Sequence, residues 1–454
     1  MSPPPRIPAS LPALLWRLLK DPVAFPLWVA REIGPVAELP MPGRPALILS
    51  DPKLIEEVLV THHKAFIKDI ATRQLAEVMG QGLLVSEGAF WKRQRRLIQP
   101  AFQPKRLTHY ADAMVGQALG CSEVWPCGTP LDLHREFARL TLAIVAETLF
   151  GTSISQAEAE TVGAALQAIM DRYMGLAGTG VLTPRGLPTP GNLRCRKLMP
   201  RLDAILLRII SERRKSGALR DDLLGRLIQA RDEDGSQMTD QQLRDECVTL
   251  FIAGHETTAL ALSYATWLLA QHPAAQARLH EELRVVLAGR APTFADFEKL
   301  SFTQAILKES MRLYPPAWAI GREPISEVVI GGYTLPKGLQ VWIATNAVHR
   351  DPRWYAEPDS FRPERWVDGS LAELGRYHYL PFGAGPRVCI GNHFAMLESV
   401  LCLAVVFQRF RVEPTSSEPL TLMGSVTLRP KGGVWLRLQR HVRDSRLTPH
   451  SPLS

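Results

Sequence analysis

Phe382, Gly383, Gly385, Arg387, Cys389 and Gly391 fall within ten residues, and the stretch that holds them, LPFGAGPRVCIGNHFAM, runs straight into an apolar helical pattern. Glycines at 383 and 385 open backbone conformations closed to other residues and allow close approach to a flat object. A sulfur at a helix N-terminus is steadied as a thiolate, the form that ligates metal. A lone cysteine in a large protein is ordinarily buried packing. Here Arg387 adds a fork that fits a carboxylate and Phe382 adds an apolar wall. Thiolate, carboxylate grip and apolar face together suit a haem, whose iron takes the sulfur and whose propionates take the arginine.

Three other groups of residues could carry or support chemistry. AGHETT, residues 253–258, places Glu256 beside Thr257 in a helical run weakened by Gly254. Glu309 and Arg312 lie one helical turn apart and could hold Arg365 of FRPERW, residues 361–366, in a charge triad. In FWKRQRR, residues 90–96, Trp91 and Arg95 share a helix face. An ordinary surface ion pair and a solvated basic helix are the plain alternatives for the last two.

Phe382 to Gly391 resembles the FxxGxRxCxG haem signature of the cytochrome P450 family at every defined position, and AGHETT, the ExxR of Glu309–Arg312, the PER segment and the WxxxR of Trp91–Arg95 follow in the family's order. The likeness spans about residues 30 to 440. It implies heme b with Cys389 as the thiolate ligand and Arg387, Trp91, Arg95, Lys68 and Arg322 toward the propionates. Phe382, Ala253, Gly254 and Gly391 would lie beside the cofactor, and Glu256 with Thr257 would deliver protons on the oxygen side. Glu309, Arg312 and Arg365 would form a structural network behind the haem.

The implied activity is hydroxylation of a lipophilic small molecule, fatty acid, terpenoid or steroid, with O2 and two electrons from a separate partner. Basic residues Lys92, Arg93, Arg96, Lys105 and Arg106 favour an acidic ferredoxin or flavodoxin, served by its own reductase. A peroxide-using or non-redox haem-thiolate enzyme would normally lack the acid–alcohol pair, and a haem sensor would need no proton relay. Pocket residues are expected among Ala317, Ile320 and Val426; by similarity to soluble fatty-acid hydroxylases Leu84 would lie near the haem and Arg44 at the mouth, with a surface arginine in a hairpin turn as the plain alternative.

The elements that must position these residues are mainly helices. Apolar residues recur at three- and four-residue spacing over 51–61, 87–98, 105–125, 133–150, 155–173, 192–217, 220–231, 273–288 and 300–313. The longest helix is predicted over 239–271, opened by a capping box at Thr239 and Gln242 and closed at His272-Pro273. Strands are few: a hairpin at 35–52 turning at Pro42-Gly43, and short runs near 328–334, 339–344 and 420–438. The expected fold class is mainly α with small β-sheets (α+β). By the resemblance it is a triangular helical body with a long central helix and the haem between that helix and the cysteine loop.

One domain is expected over 1–454, with a proline-rich lead at 1–29, a core from about 30 to 440 and a flexible tail at 441–454. At 454 residues with 46% hydrophobic and 22% charged composition, the chain can bury a large core. A net charge of +8 is spread along the chain without a nucleic-acid-binding pattern, so nucleic acid is not an expected partner. The nine-residue apolar stretch near the N-terminus is too short to span a bilayer. Six cysteines without a CxxC pair suit a reducing setting, and a cytoplasmic monomer is expected.

Overall fold

The computed structural model describes residues 4–41, 45–152, 155–173, 186–216, 222–231, 235 and 237–441. The predicted hairpin turn at Pro42-Gly43, most of the loop at 175–192 and nearly all of the tail lie outside these residues.

A 32-residue helix, Asp240–Gln271, forms the axis of the molecule. At 1.5 Å per residue it runs about 48 Å. Its start is the predicted capping box: the Gln242 amide donates to Thr239 Oγ1 at 3.2 Å, and the Thr239 amide donates to Gln242 Oε1 at 2.9 Å. Helix Leu133–Phe150 packs along it closely enough that a Cβ on Gly254 would come 2.9 Å from Val145 Cγ2. Gly254 therefore serves a helix crossing; the hydroxyl of Thr141, on the same neighbour, reaches the His255 carbonyl at 2.8 Å. The helix is continuous through AGHETT, so the expected weakening there produces no break.

Further helices at Gly88–Ile98, Pro104–Glu123, Gln156–Tyr173, Pro190–Ser216, Pro273–Leu287, Ser301–Leu313 and Asn392–Arg409 follow the predicted ranges within a few residues. Buried Leu, Val, Ile and Phe from most of them form one continuous apolar cluster with the central helix.

The principal sheet has five short strands in the order Val36–Leu39, Ala46–Leu49, Gln340–Ile343, Ile320–Pro324, Phe66–Lys68. The hairpin was predicted; Phe66–Lys68 was not, because its partner strand, Ile320–Pro324, lies more than 250 residues away. Their antiparallel pairing sets Lys68 opposite Arg322.

The N-terminal lead is a correction. Residues 11–20 and 24–32 are helices, and Arg6 bridges to Glu38 at the sheet edge. Ile7, Leu14, Phe25 and Val29 are buried with Ile48 and Ala347. The prolines sit at and before the helix starts, where a missing N–H costs nothing, so the lead is part of the core.

Candidate active site

Cys389 lies three residues before helix Asn392–Arg409, on a loop held by its own amide donating to the Phe382 carbonyl at 2.9 Å. Gly383 and Gly385 both take positive φ, 70° and 69°. At Gly385 the neighbour is not a pocket: a Cβ there would come 2.0 Å from the Leu59 carbonyl oxygen, so this glycine admits the preceding helical segment. Gly383 has no such clash, its would-be Cβ resting 3.7 Å from Ile320 Cδ1.

The Cys389 side chain is exposed even though protein surrounds it deeply enough for burial to raise the thiol's pKa. Exposure within such surroundings marks interior space at the sulfur. A Gly391 backbone hydrogen bond and the Arg95 charge work against the burial, yet burial prevails. The helix terminus alone therefore does not make the thiolate expected from sequence. A metal cation at the sulfur would reverse that balance.

Beside the loop, Trp91 is buried and carries the Arg387 guanidinium 3.8 Å over its ring. Arg387 also donates to the Ser86 carbonyl at 2.9 Å and to Glu87. Arg95 donates to the Val388 carbonyl at 2.8 Å, next to the sulfur-bearing residue. Glu87 went unnoticed in the sequence, although it stands four residues before Trp91 at the mouth of the helix. Its second oxygen accepts from the Lys68 amide at 2.7 Å.

Lys68 and Arg322 complete a positive cluster. Burial, then Arg322 and Arg387, bring the Lys68 ammonium down to about 7 against Glu87 and Asp69. Burial and Arg387 lower Arg322 to about 10. Three cations, Lys68, Arg322 and Arg387, thus face only two carboxylates in a desolvated region, and the Lys68 ammonium has no hydrogen-bond partner among the described residues. A ligand carrying carboxylates would relieve this imbalance. An apolar macrocycle with two acid arms and a thiolate-seeking metal matches the donor set, so the residues fit a haem.

On the central helix, Ala253 is exposed and Gly254 and Thr257 are half-buried, while 243–252 and 258–266 are buried throughout. Interior space therefore opens beside this turn also. Thr257 Oγ1 donates to the Ala253 carbonyl at 2.7 Å. Glu256 turns elsewhere: its Oε1 lies 2.7 Å from Arg429 Nε, a charge contact without the alignment of a hydrogen bond. Burial alone would raise its pKa, but Arg429 first, then His255 and His134, hold it below the usual carboxylate range. Burial keeps His255 neutral, down to about 4. The expected free acid beside Thr257 is thus a buried ion pair. Arg429, on the strand Leu428–Pro430, had no sequence signal that could have found it.

Glu309, Arg312 and Arg365 are brought together by hydrogen bonds. Arg312 grips Glu309 with two bonds of 2.8 Å, and Arg365 Nε donates to Glu309 Oε1 at 3.0 Å. The Arg362 amide and the Trp366 indole, each at 2.9 Å, fill the remaining lone pairs. Arg312 in turn ties the carbonyls of His349, Pro358 and Ser360, so the triad pins the irregular chain leading to the cysteine loop.

Of the pocket candidates, Leu84 and Val426 pack half-buried against the cluster that includes the central helix. Ile320 packs instead with Leu380 and Ala384 beside the cysteine loop, Ala317 is half-buried, and Arg44 lies outside the described residues. The helix Gly88–Ile98 presents Trp91, Lys92, Arg95 and Arg96 to a surface groove of about 320 Å³. No helix among the described residues is long and apolar enough to cross a membrane.

The family model described as Cytochrome P450 matches residues 1–437. Among curated relatives, the cyclooctatin synthase of Streptomyces melanosporofaciens is 36% identical over 84% of this chain and 83% of its own length. The cyclooctat-9-en-7-ol 5-monooxygenase of the same organism is 34% identical, with 91% and 90% covered. The pentalenene oxygenase of Streptomyces avermitilis is 33% identical, with 89% and 90% covered.

Proposed function

The chain belongs to the cytochrome P450 family, and we propose that this haem-thiolate monooxygenase takes a terpenoid as its substrate. It hydroxylates a lipophilic small molecule with O2 and electrons from a redox partner. The observation that carries the substrate reading is the pair of half-buried apolar residues, Leu84 and Val426, packed against the apolar cluster that includes the central helix, on which Ala253 is exposed. Such a lining favours a hydrocarbon frame over a charged head group. Two of the relatives named above are terpenoid monooxygenases, which supports the same class.

In this reading Cys389 holds the iron, while Lys68, Arg322, Arg387 and Arg95, backed by Trp91, hold the propionates. Phe382 and Gly391 flank the sulfur. When bound, the haem supplies oxygen activation, favoured by electron donation from the thiolate. Everything else falls to the chain. Thr257 Oγ1 keeps a proton at the pocket face of the central helix, parked on the Ala253 carbonyl. Glu256 resupplies it only when its contact with Arg429 opens. The triad of Glu309, Arg312 and Arg365 keeps the cysteine loop in place.

The electron donor is an acidic ferredoxin or flavodoxin docking at the groove of Lys92 and Arg96, where Arg95 links the surface to the cysteine loop. The test is turnover with a surrogate ferredoxin and reductase under 18O2. A terpenoid should gain one labelled oxygen atom. Turnover of fatty acids or steroids with terpenoids inert would overturn the assignment.

A further inference from the structure

Helix Leu11–Lys20, LPALLWRLLK, is apolar on two sides and covered on one. Leu14 and Leu18 pack with Phe25, Val29 and Ile48 in the core. Pro12, Trp16 and Leu19, spaced four and three residues apart, form a second stripe that faces solvent. Trp16 is 62% exposed and Leu19 45%. A scattered exposed apolar residue needs no explanation, but a helix with little polar face of its own is built to be covered all round. Among the described residues, the chain covers only the inner side.

The rim of the stripe is cationic. Residues 1–20 hold Arg6, Arg17 and Lys20 and no Asp or Glu. Lys20 Nζ stands 5.0 Å from the centre of the Trp16 ring and the Arg17 guanidinium 4.3 Å from that of Trp28, so both charges are kept at the edge of the apolar stripe. Asp21 is turned onto the amides of Val23 and Ala24 at 3.0 and 2.8 Å, and Glu38 is taken by Arg6, so the two acids nearby are engaged elsewhere. One such stripe on a helix about 15 Å long falls far short of the roughly 800 Å² that each side of a standard protein interface buries. A lipid surface asks for less: tryptophan favours the boundary between water and hydrocarbon, and Lys and Arg reach from there to the headgroups.

We propose that helix Leu11–Lys20 is a peripheral membrane contact, with Trp16 and Leu19 entering the headgroup boundary of an anionic lipid surface and Arg17 and Lys20 meeting its phosphates. The protein then rests on a bilayer without crossing it. Each cation near such a surface strengthens binding about fivefold, and one short helix gives a reversible contact rather than an anchor. A lipophilic substrate concentrates in the same layer, so the contact raises its local concentration at the enzyme. Lipid binding is read without substrate or turnover, so its failure leaves the monooxygenase reading untouched.

The contact is tested by co-sedimenting the holoenzyme with vesicles, one set of phosphatidylglycerol mixed equally with phosphatidylcholine and one of phosphatidylcholine alone. Wild-type protein should partition onto the anionic vesicles about tenfold more than onto the neutral ones, and salt at about 1 M, where the screening length is about 3 Å, should release most of it. Trp16→Ser with Leu19→Ser should cut anionic binding about tenfold, and Lys20→Glu should cut it severalfold. These side chains are exposed, so the reduced carbon monoxide spectrum and the thermal midpoint should match wild type in each variant, and Lys20→Glu carries the test if the serine variant does not fold. No binding of wild-type protein to anionic vesicles, or equal binding by wild type and every folded variant, overturns the contact. A dimer of wild-type protein in lipid-free solution that the serine variant lacks gives the stripe to a second copy of this chain and likewise overturns it.

Discussion

Lys68 carries a charge that would answer to a bound propionate. With its pKa lowered to about 7, it is charged below that pH and neutral above it. A propionate beside it pulls the proton back, so haem binding takes up a proton between pH 7 and the ordinary lysine range near 10.5. Proton uptake on binding means affinity falls as pH rises through that window. Haem transfer to a scavenging apoprotein should therefore quicken from pH 7 to pH 9.5 in wild-type protein. In Lys68→Met it should be faster at pH 7 and show a flatter pH dependence; parallel profiles for the two proteins would show that Lys68 does not meet the cofactor. Cys389 and Arg387 could be read from sequence because the residues around them lie within one short turn. Glu87 and Arg429 could not, since what defines them is a partner brought near only by the folded chain.

Among the elements, helix Ser301–Leu313 and the segment around Arg365 are joined through one buried carboxylate. Glu309 is entirely buried, with five hydrogen bonds from four residues. Burial opposes its charge, but the bonds from Arg312 and the charge of Arg365 keep it ionised and below the usual carboxylate range. Replacing it by Gln leaves two guanidinium groups without a counter-charge, a loss of roughly 3–5 kcal/mol. Denaturant unfolding of Glu309→Gln should show that drop, with haem content reduced in proportion. The pairing was visible beforehand because ExxR spacing is a property of one helical turn. Likewise the capping box at Thr239 and Gln242 is local, and the central helix began where predicted. Strand Phe66–Lys68 was missed because three residues carry too little pattern and its partner lies more than 250 residues away.

In the molecule as a whole, the N-terminal lead packs into the core through Ile7, Leu14, Phe25 and Val29. Leu14 is 1% exposed and packs with Phe25 and Val29, so Leu14→Ala should cost about 2–5 kcal/mol. Thermal unfolding of that variant should fall by several degrees; no change would mean that the lead is not docked. Its prolines stand at and before the helix starts. Surface charge gives a second test at this scale. Lys92 and Arg96 are exposed at the groove that Arg95, bonded to the Val388 carbonyl, also lines. If they receive the electron donor, its second-order rate of reduction should fall steeply with ionic strength. Lys92→Glu with Arg96→Glu should slow it about tenfold at low salt. An equal rate in wild type and variant would place the donor elsewhere.

The short edge strand Phe66–Lys68 has one further consequence. Along a strand, successive side chains point to opposite faces, so sliding this one by a single residue would carry Lys68 to the far side of the sheet while Arg322 stayed. Three residue pairs fix that alignment, and Glu323, bonded by Arg73 at 2.7 Å and Gln340 at 2.8 Å, stiffens it. If Lys68 holds a propionate, cofactor retention reports on strand register, and a change at Glu323 should loosen the haem as a change at Lys68 would.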